Sequence, residues 1–296
     1  MPQDTWTILK LIRWTEARFK KEGLPTPRLD AEVLLAESLG MDRVGLYTHF
    51  DQPLQPAELT RFKKLIRRRM AHEPLTYITG KREFWSLPFK VTPDVLIPRP
   101  ETEGLVEEAL RLLADPERCG RGGRILEIGT GSGAIIIALA KELPSASLVA
   151  TDFSEKALAL ARENAAAIGV GERIQFLHGD LFAPLERESP FDLILSNPPY
   201  ISRSEFASLA PEVRDFEPRI ALDGGEDGLT FFRRALPRVG RYLQPAGWFL
   251  TEIGAGQDPE VQKIAAATPD LEAFAFIPDL AGIKRVFKAR KKIVDS

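Results

Sequence analysis

A chain of 296 residues with 40 basic and 42 acidic side chains carries a formal charge of −2, so no global field directs it to nucleic acid or to a membrane surface. Its length favours one large and one small domain, and an apolar content of 44% is enough for a substantial core. The single cysteine, Cys119, excludes an internal disulfide and a thiol-built zinc cluster, fits a reducing cytosol, and reads as an inert loop residue before a strand.

The amino-terminal residues include Asp4, Lys10, Arg13, Glu16, Arg18 and Lys20, which interrupt any signal-peptide stretch, so a cytoplasmic protein is expected. Trp6, Leu9 and Ile12 open a segment with helical spacing that ends near Gly23 and Pro25. A second helix is expected around Asp30 to Ala36, stopped by Gly40. A third is expected over Ala57 to Met70, with Pro56 near its start. Arg61, Lys63, Lys64, Arg67, Arg68 and Arg69 on the third helix could meet an acidic partner or phosphates, or form a solvated face. Residues 1 to 72 contain no catalytic constellation and read as a helical recognition domain.

Residues 73 to 98 read as a hairpin and linker, aromatic-rich from Phe84 to Phe89. Residues 99 to 296 form the larger domain. The loop Ile97-Pro98-Arg99-Pro100-Glu101-Thr102-Glu103 is stiffened by prolines, able to lean over a pocket mouth, and leads into a helix through Leu113.

Arg124 to Ile128 is a strand that runs into Gly129-Thr130-Gly131-Ser132-Gly133 and then a helix. Ala134 to Ala140 is apolar but too short to span a bilayer. The glycines let backbone approach a ligand, and the helix start offers unpaired N–H groups. The G-x-G-x-G spacing, with Glu127 just before it, suits a cationic or hydroxyl-bearing ligand better than a diphosphate. The next strand ends in Asp152, about 20 residues on, where a ribose-binding acid is expected. Another, Arg173 to His178, leads to Gly179-Asp180-Leu181-Phe182, where Asp180 can accept from an adenine amino group with Leu181 and Phe182 bordering the base. Capping and turn roles are the alternatives for the two aspartates.

Phe191 to Ser196 is a buried parallel strand, ended by Asn197-Pro198-Pro199-Tyr200. The prolines build a rigid elbow at the carboxyl end of a strand, where open α/β sheets bind ligands. Such a corner suits a planar –NH2 group: Asn197 Oδ1 and the Pro198 carbonyl each accept one hydrogen, while Tyr200 packs on its face. Beyond it, Asp223 to Gly228 reads as a lid, a channel wall or an ordinary loop. Trp248 to Ile253 is a core strand, and Leu271 to Ile277 with Lys284 to Lys288 form a closing antiparallel pair. His49, His72 and His178 are scattered, and no activating Ser-His, Cys-His or metal cluster is apparent.

Together these motifs resemble the class I S-adenosylmethionine-dependent methyltransferases, and Asn-Pro-Pro-Tyr resembles their amino-group branch. The segments 82–89, 96–103, 216–218 and 221–228 further resemble the peptide-chain release factor N5-glutamine methyltransferases, the HemK/PrmC family. That resemblance implies a Rossmann-like, mostly parallel seven-stranded α/β sheet with a small helical domain. It implies S-adenosylmethionine held by Glu127, Gly129 to Gly133, Asp152, Asp180, Leu181 and Asn197. It implies methylation of the glutamine in a release-factor Gly-Gly-Gln loop at Asn197 to Tyr200. From the residues themselves no metal and no membrane contact are expected, nucleic acid is disfavoured as a partner, and a monomer is expected. Leu181 departs from the aromatic often found after this acid. A DNA or RNA amino-group (adenine-N6 or guanine-N2) methyltransferase is the nearest alternative, with a non-catalytic binding adaptor and an NAD oxidoreductase behind it.

Overall fold

A computed structural model describes residues 6–114, 123–185 and 190–293; Cys119 and Asp4 lie outside the described residues. The chain divides into two compact units. One runs to Gly80 and takes in Ala210–Phe216, and the other takes the rest.

In the first unit, Thr7 caps the helix Ile8–Lys21, whose last turn carries Arg18, Lys20 and Lys21 beside the negative helix end. Ile8, Leu11, Ile12, Thr15 and Phe19 recur every three or four residues and are buried. Pro27 starts the helix Pro27–Leu39, and Gly40 ends it in the left-handed conformation. A short helix, Arg43–Thr48, was not expected from the sequence; at six residues it is too short for periodicity, and Asp42 Oδ1 starts it by accepting from Gly45 N at 2.7 Å. The helix Pro56–Met70 begins with Glu58 accepting from the Gln55 amide at 2.7 Å.

The six cations of that helix do not form one uniform face. Arg69 is 2% exposed, donating to Asp30 and to Glu212, each at 2.7 Å. Arg68 pairs with Glu73, and Arg61 donates to the Ser38 carbonyl. Within 73–98, expected as a hairpin and linker, Leu75–Thr79 is helical and belongs with the first unit, which runs on to Gly80.

The second unit opens with an antiparallel hairpin, β1 (Lys81–Phe84) and β2 (Leu87–Lys90). Among the described residues its main sheet has seven strands: β3 (Arg124–Ile128), β4 (Ser147–Asp152), β5 (Ile174–His178), β6 (Phe191–Ser196), β7 (Leu243–Glu252), β8 (Leu271–Pro278) and β9 (Lys284–Lys291). Their order is β5-β4-β3-β6-β7-β9-β8, parallel from β5 to β7 and antiparallel at β9 and β8. This is the expected mostly parallel sheet with its closing antiparallel pair. Apolar clusters cover both faces, one around Leu105, Ile136 and Leu195, the other around Ile128, Phe232 and Phe249. From β3 the chain steps outward through β4 and β5, then returns to place β6 on the other side. The reversal opens a crevice at the carboxyl ends of the central strands.

Candidate active site

A cavity of about 510 Å³ occupies that crevice. Its wall includes Glu127, Gly129, Thr130, Gly131 and Ser132 from the end of β3, Asp152 from β4, Asp180 and Leu181 after β5, and Asn197, Pro198 and Pro199 after β6. Pro98 and Thr102 add a further side. Four strand ends thus bring most of the expected ligand groups to one opening.

The turn after β3 depends on its glycines. Gly129 and Gly131 have φ of +73° and +56°, with no atom within 4 Å of where a Cβ would stand, so backbone faces open space. Gly133 does not line the cavity. A Cβ there would lie 2.8 Å from Ile137 and 3.2 Å from Ala161, so its smallness serves helix packing. Glu127 is 1% exposed and accepts from Thr130 Oγ1 at 2.6 Å and Ile136 N at 3.2 Å. Burial, reinforced by the neighbouring Asp152 charge, pushes its carboxyl up to about 8. Asp152 accepts from Gly131 N and Ser154 N, both at 2.8 Å, and is also raised by burial. Ser154, not Asp152, caps the following helix, accepting from Ala157 N at 3.2 Å.

Around Asp180 the arrangement differs from expectation. Asp180 Oδ2 accepts from Arg234, which also lines the cavity. Leu181 sits at φ +49°, in the left-handed region, and forms part of the wall. Phe182 does not line the cavity: it is fully buried and stacks on Tyr242 at 4.6 Å. Phe153 supplies an aromatic surface instead, 61% exposed and on the cavity wall. An aromatic directly after the strand-end acid was its only sequence signal.

The elbow is held from three sides. Ser196 Oγ donates to the Ile128 carbonyl at 2.7 Å, tying β6 to β3. Gln257 Nε2 donates to the Tyr200 carbonyl at 2.9 Å, while its Oε1 accepts from Gly254 N at 2.9 Å. The loop Asp223 to Gly228 packs behind the elbow: Gly224 N donates to Ile201 O at 2.8 Å, and a Cβ on Gly228 would stand 2.3 Å from Tyr200 O. It is a brace, although Asp223 and Gly224 also reach the wall. The Pro-Arg-Pro loop is secured in turn by Glu217, which accepts from Ile97 N at 3.1 Å and pairs with Arg99.

Asn197 Nδ2 donates to Thr102 Oγ1 at 3.1 Å, Thr102 Oγ1 donates to Glu252 Oε2 at 2.7 Å, and Tyr200 Oη donates to Glu252 Oε1 at 2.9 Å. Tyr200 does not line the cavity; its hydroxyl is committed to Glu252. Burial raises both groups, Tyr200 further through the Glu252 charge. In the sequence Thr102 marks a helix start and Glu252 lies at the tail of a core strand. The available signal was an acid ending an apolar run, as at Glu127 and Asp152.

A parallel sheet with a glycine turn and strand-end acids around one crevice defines a class I methyltransferase. Residues 10–80 match the PrmC N-terminal domain family, and 104–212 the methyltransferase small domain. The chain is similar to the release factor glutamine methyltransferase of Geobacter sulfurreducens, 46% identical over 97% of this chain and 98% of that one. The Rhodopirellula baltica protein of the same name is 40% identical over 97% of each. In fold it is similar to a methyltransferase from Pyrococcus furiosus (TM-score 0.50, 18% identity, 70% of this chain and 90% of that one). The chain belongs to the release factor glutamine methyltransferase family.

Proposed function

We propose that this protein transfers a methyl group from S-adenosylmethionine to N5 of the glutamine in a release-factor Gly-Gly-Gln loop, acting as a cytoplasmic monomer. The observation that carries the reading is the elbow itself. Asn197 and Pro198 stand in the same cavity wall as the Gly129 to Ser132 turn, so an amide acceptor pair and a cofactor cradle share one opening.

The residues fit the cofactor. Backbone at Gly129 and Gly131 faces open space, two strand-end acids approach it, and Phe153 and Leu181 offer apolar surface for a base. Glu127, Asp152 and the glycine turn would hold its charged and hydroxylated parts, with Asp180 near the base. When bound, its sulfonium supplies an electrophilic methyl group.

An amide nitrogen is a poor nucleophile, because its lone pair is delocalised into the carbonyl. Asn197 Oδ1 and the Pro198 carbonyl would take the two amide hydrogens and favour a more pyramidal nitrogen. Rigid prolines and the Gln257 and Gly228 brace hold both acceptors in place before substrate arrives, so orientation supplies several kcal/mol of the barrier reduction. The proton lost from nitrogen leaves after transfer, so no strong base is needed.

The nucleic-acid alternative draws less support, since Arg69 of the basic helix is buried in ion pairs and Arg68 is paired. The direct test is mass spectrometry of a purified release factor incubated with the enzyme and S-adenosylmethionine. One added methyl on the Gly-Gly-Gln glutamine is expected. N197A should lower kcat by about 10²-fold, as for other lost transition-state hydrogen bonds, while S-adenosylhomocysteine still binds. Methylation of DNA or RNA instead, with steep salt dependence, would overturn the substrate.

A further inference from the structure

We propose that Thr102 and Glu252 are positioning residues whose hydrogen bonds fix which end of the Asn197 amide faces the substrate. The inference rests on the reading above, in which Asn197 accepts from the substrate –NH2, and adds how that polarity is set. An asparagine amide is nearly symmetric in shape, and its oxygen and nitrogen can exchange places by a half-turn. Inverted, the side chain would present N–H to N–H and repel the glutamine it must hold.

With Glu252 ionised, the form that its two hydroxyl donors and the Arg285 charge favour against burial, counting hydrogens removes the ambiguity. Glu252 is 2% exposed and acceptor-only when ionised, and each of its oxygens meets one hydroxyl: Tyr200 Oη at 2.9 Å and Thr102 Oγ1 at 2.7 Å. Thr102, itself 4% exposed, has a single hydroxyl hydrogen and gives it to the carboxylate. Toward Asn197 it therefore shows only lone pairs. An inverted Asn197 would set its oxygen against the Thr102 oxygen, two acceptors with no hydrogen between them. Nδ2 must face Thr102, as it does at 3.1 Å, and Oδ1 is left for the cavity. The polarity of the elbow is thus written by a carboxylate that does not line the cavity. Tyr200 anchors the other oxygen of that carboxylate.

The test compares wild type, N197A, T102V, T102S and E252Q in release-factor methylation, with thermal unfolding and S-adenosylhomocysteine binding by calorimetry on each. T102V keeps the side-chain shape but removes the hydroxyl. It should lower kcat about tenfold, the worth of one hydrogen bond to a buried amide, with cofactor affinity unchanged. T102S should restore most of that loss. In E252Q the new amide donates toward one hydroxyl, so either Tyr200 or Thr102 loses its acceptor, and kcat should again fall with cofactor affinity intact. If T102V does not fold, the E252Q result decides. The inference is overturned if the folded variants keep kcat within about twofold, less than one hydrogen bond is worth. It is also overturned if T102S fails to restore activity or cofactor affinity falls in step with kcat, which is what mere loss of packing would do. Inactive N197A beside fully active T102V and E252Q defeats this inference alone. Wild-type turnover in N197A defeats the reading beneath it as well.

Discussion

Glu127 carries a measurable consequence that needs no ligand. Folded, its carboxyl is held up to about 8 by burial; unfolded, it returns to about 4.5. Between those pH values the folded state keeps a proton that the unfolded chain has released, so stability falls as pH rises, by up to about 1.4 kcal/mol per unit from this group. The ligand-free protein should lose unfolding free energy from pH 5 to 8. E127Q should reduce that slope, leaving the contributions of Asp152 and Glu252, which burial also raises and which have the same sign. Equal slopes in urea titrations of both proteins would sink the expectation. Much of the cavity wall was legible for a local reason: Glu127, Asp152 and Asp180 each stand at or just past the end of a strand, beside glycine or a cap. Glu252 follows the same pattern, yet its partner Thr102 lies 150 positions away, and no local window contains both. Phe182 stays off the cavity wall for a backbone reason. Leu181 turns left-handed, Phe182 goes to the core, and Phe153 takes the surface.

Strands β3, β4 and β6 were readable because buried parallel strands are short apolar runs bounded by turns. The role of the loop Asp223 to Gly228 was not, because its function depends on what packs against it. With φ +77° and Tyr200 O only 2.3 Å from its hypothetical Cβ, Gly228 tolerates no side chain without moving the elbow. G228A should destabilise the protein by about 2 kcal/mol, combining left-handed strain with overpacking. Its kcat should fall further than its affinity for S-adenosylhomocysteine, because the displaced group belongs to the elbow. A variant of normal stability and turnover would show that the loop is not a brace.

Arg69 governs the helical unit in a similar way. It joins Asp30 on one helix to Glu212 on a segment that arrives from far along the chain. R69M leaves a buried carboxylate without its cation and should cost about 3 kcal/mol. Amide hydrogen exchange should then quicken together in residues 8–80 and 210–216 while the sheet stays protected; quickening in 210–216 alone would contradict this. The sequence disclosed the helical module but not this visiting segment, since nothing in Ala210–Phe216 distinguishes it from surface loop.

The helical unit is therefore not a contiguous stretch of chain. A fragment ending at Gly80 lacks Glu212, and one beginning at Lys81 carries seven residues whose folding partners have been removed. A recombination event or a protein engineer exchanging this module between relatives must exchange two segments at once, one of them shortly after the Asn-Pro-Pro-Tyr elbow. Exchanging the helical unit therefore carries with it a stretch of chain that follows the elbow in sequence.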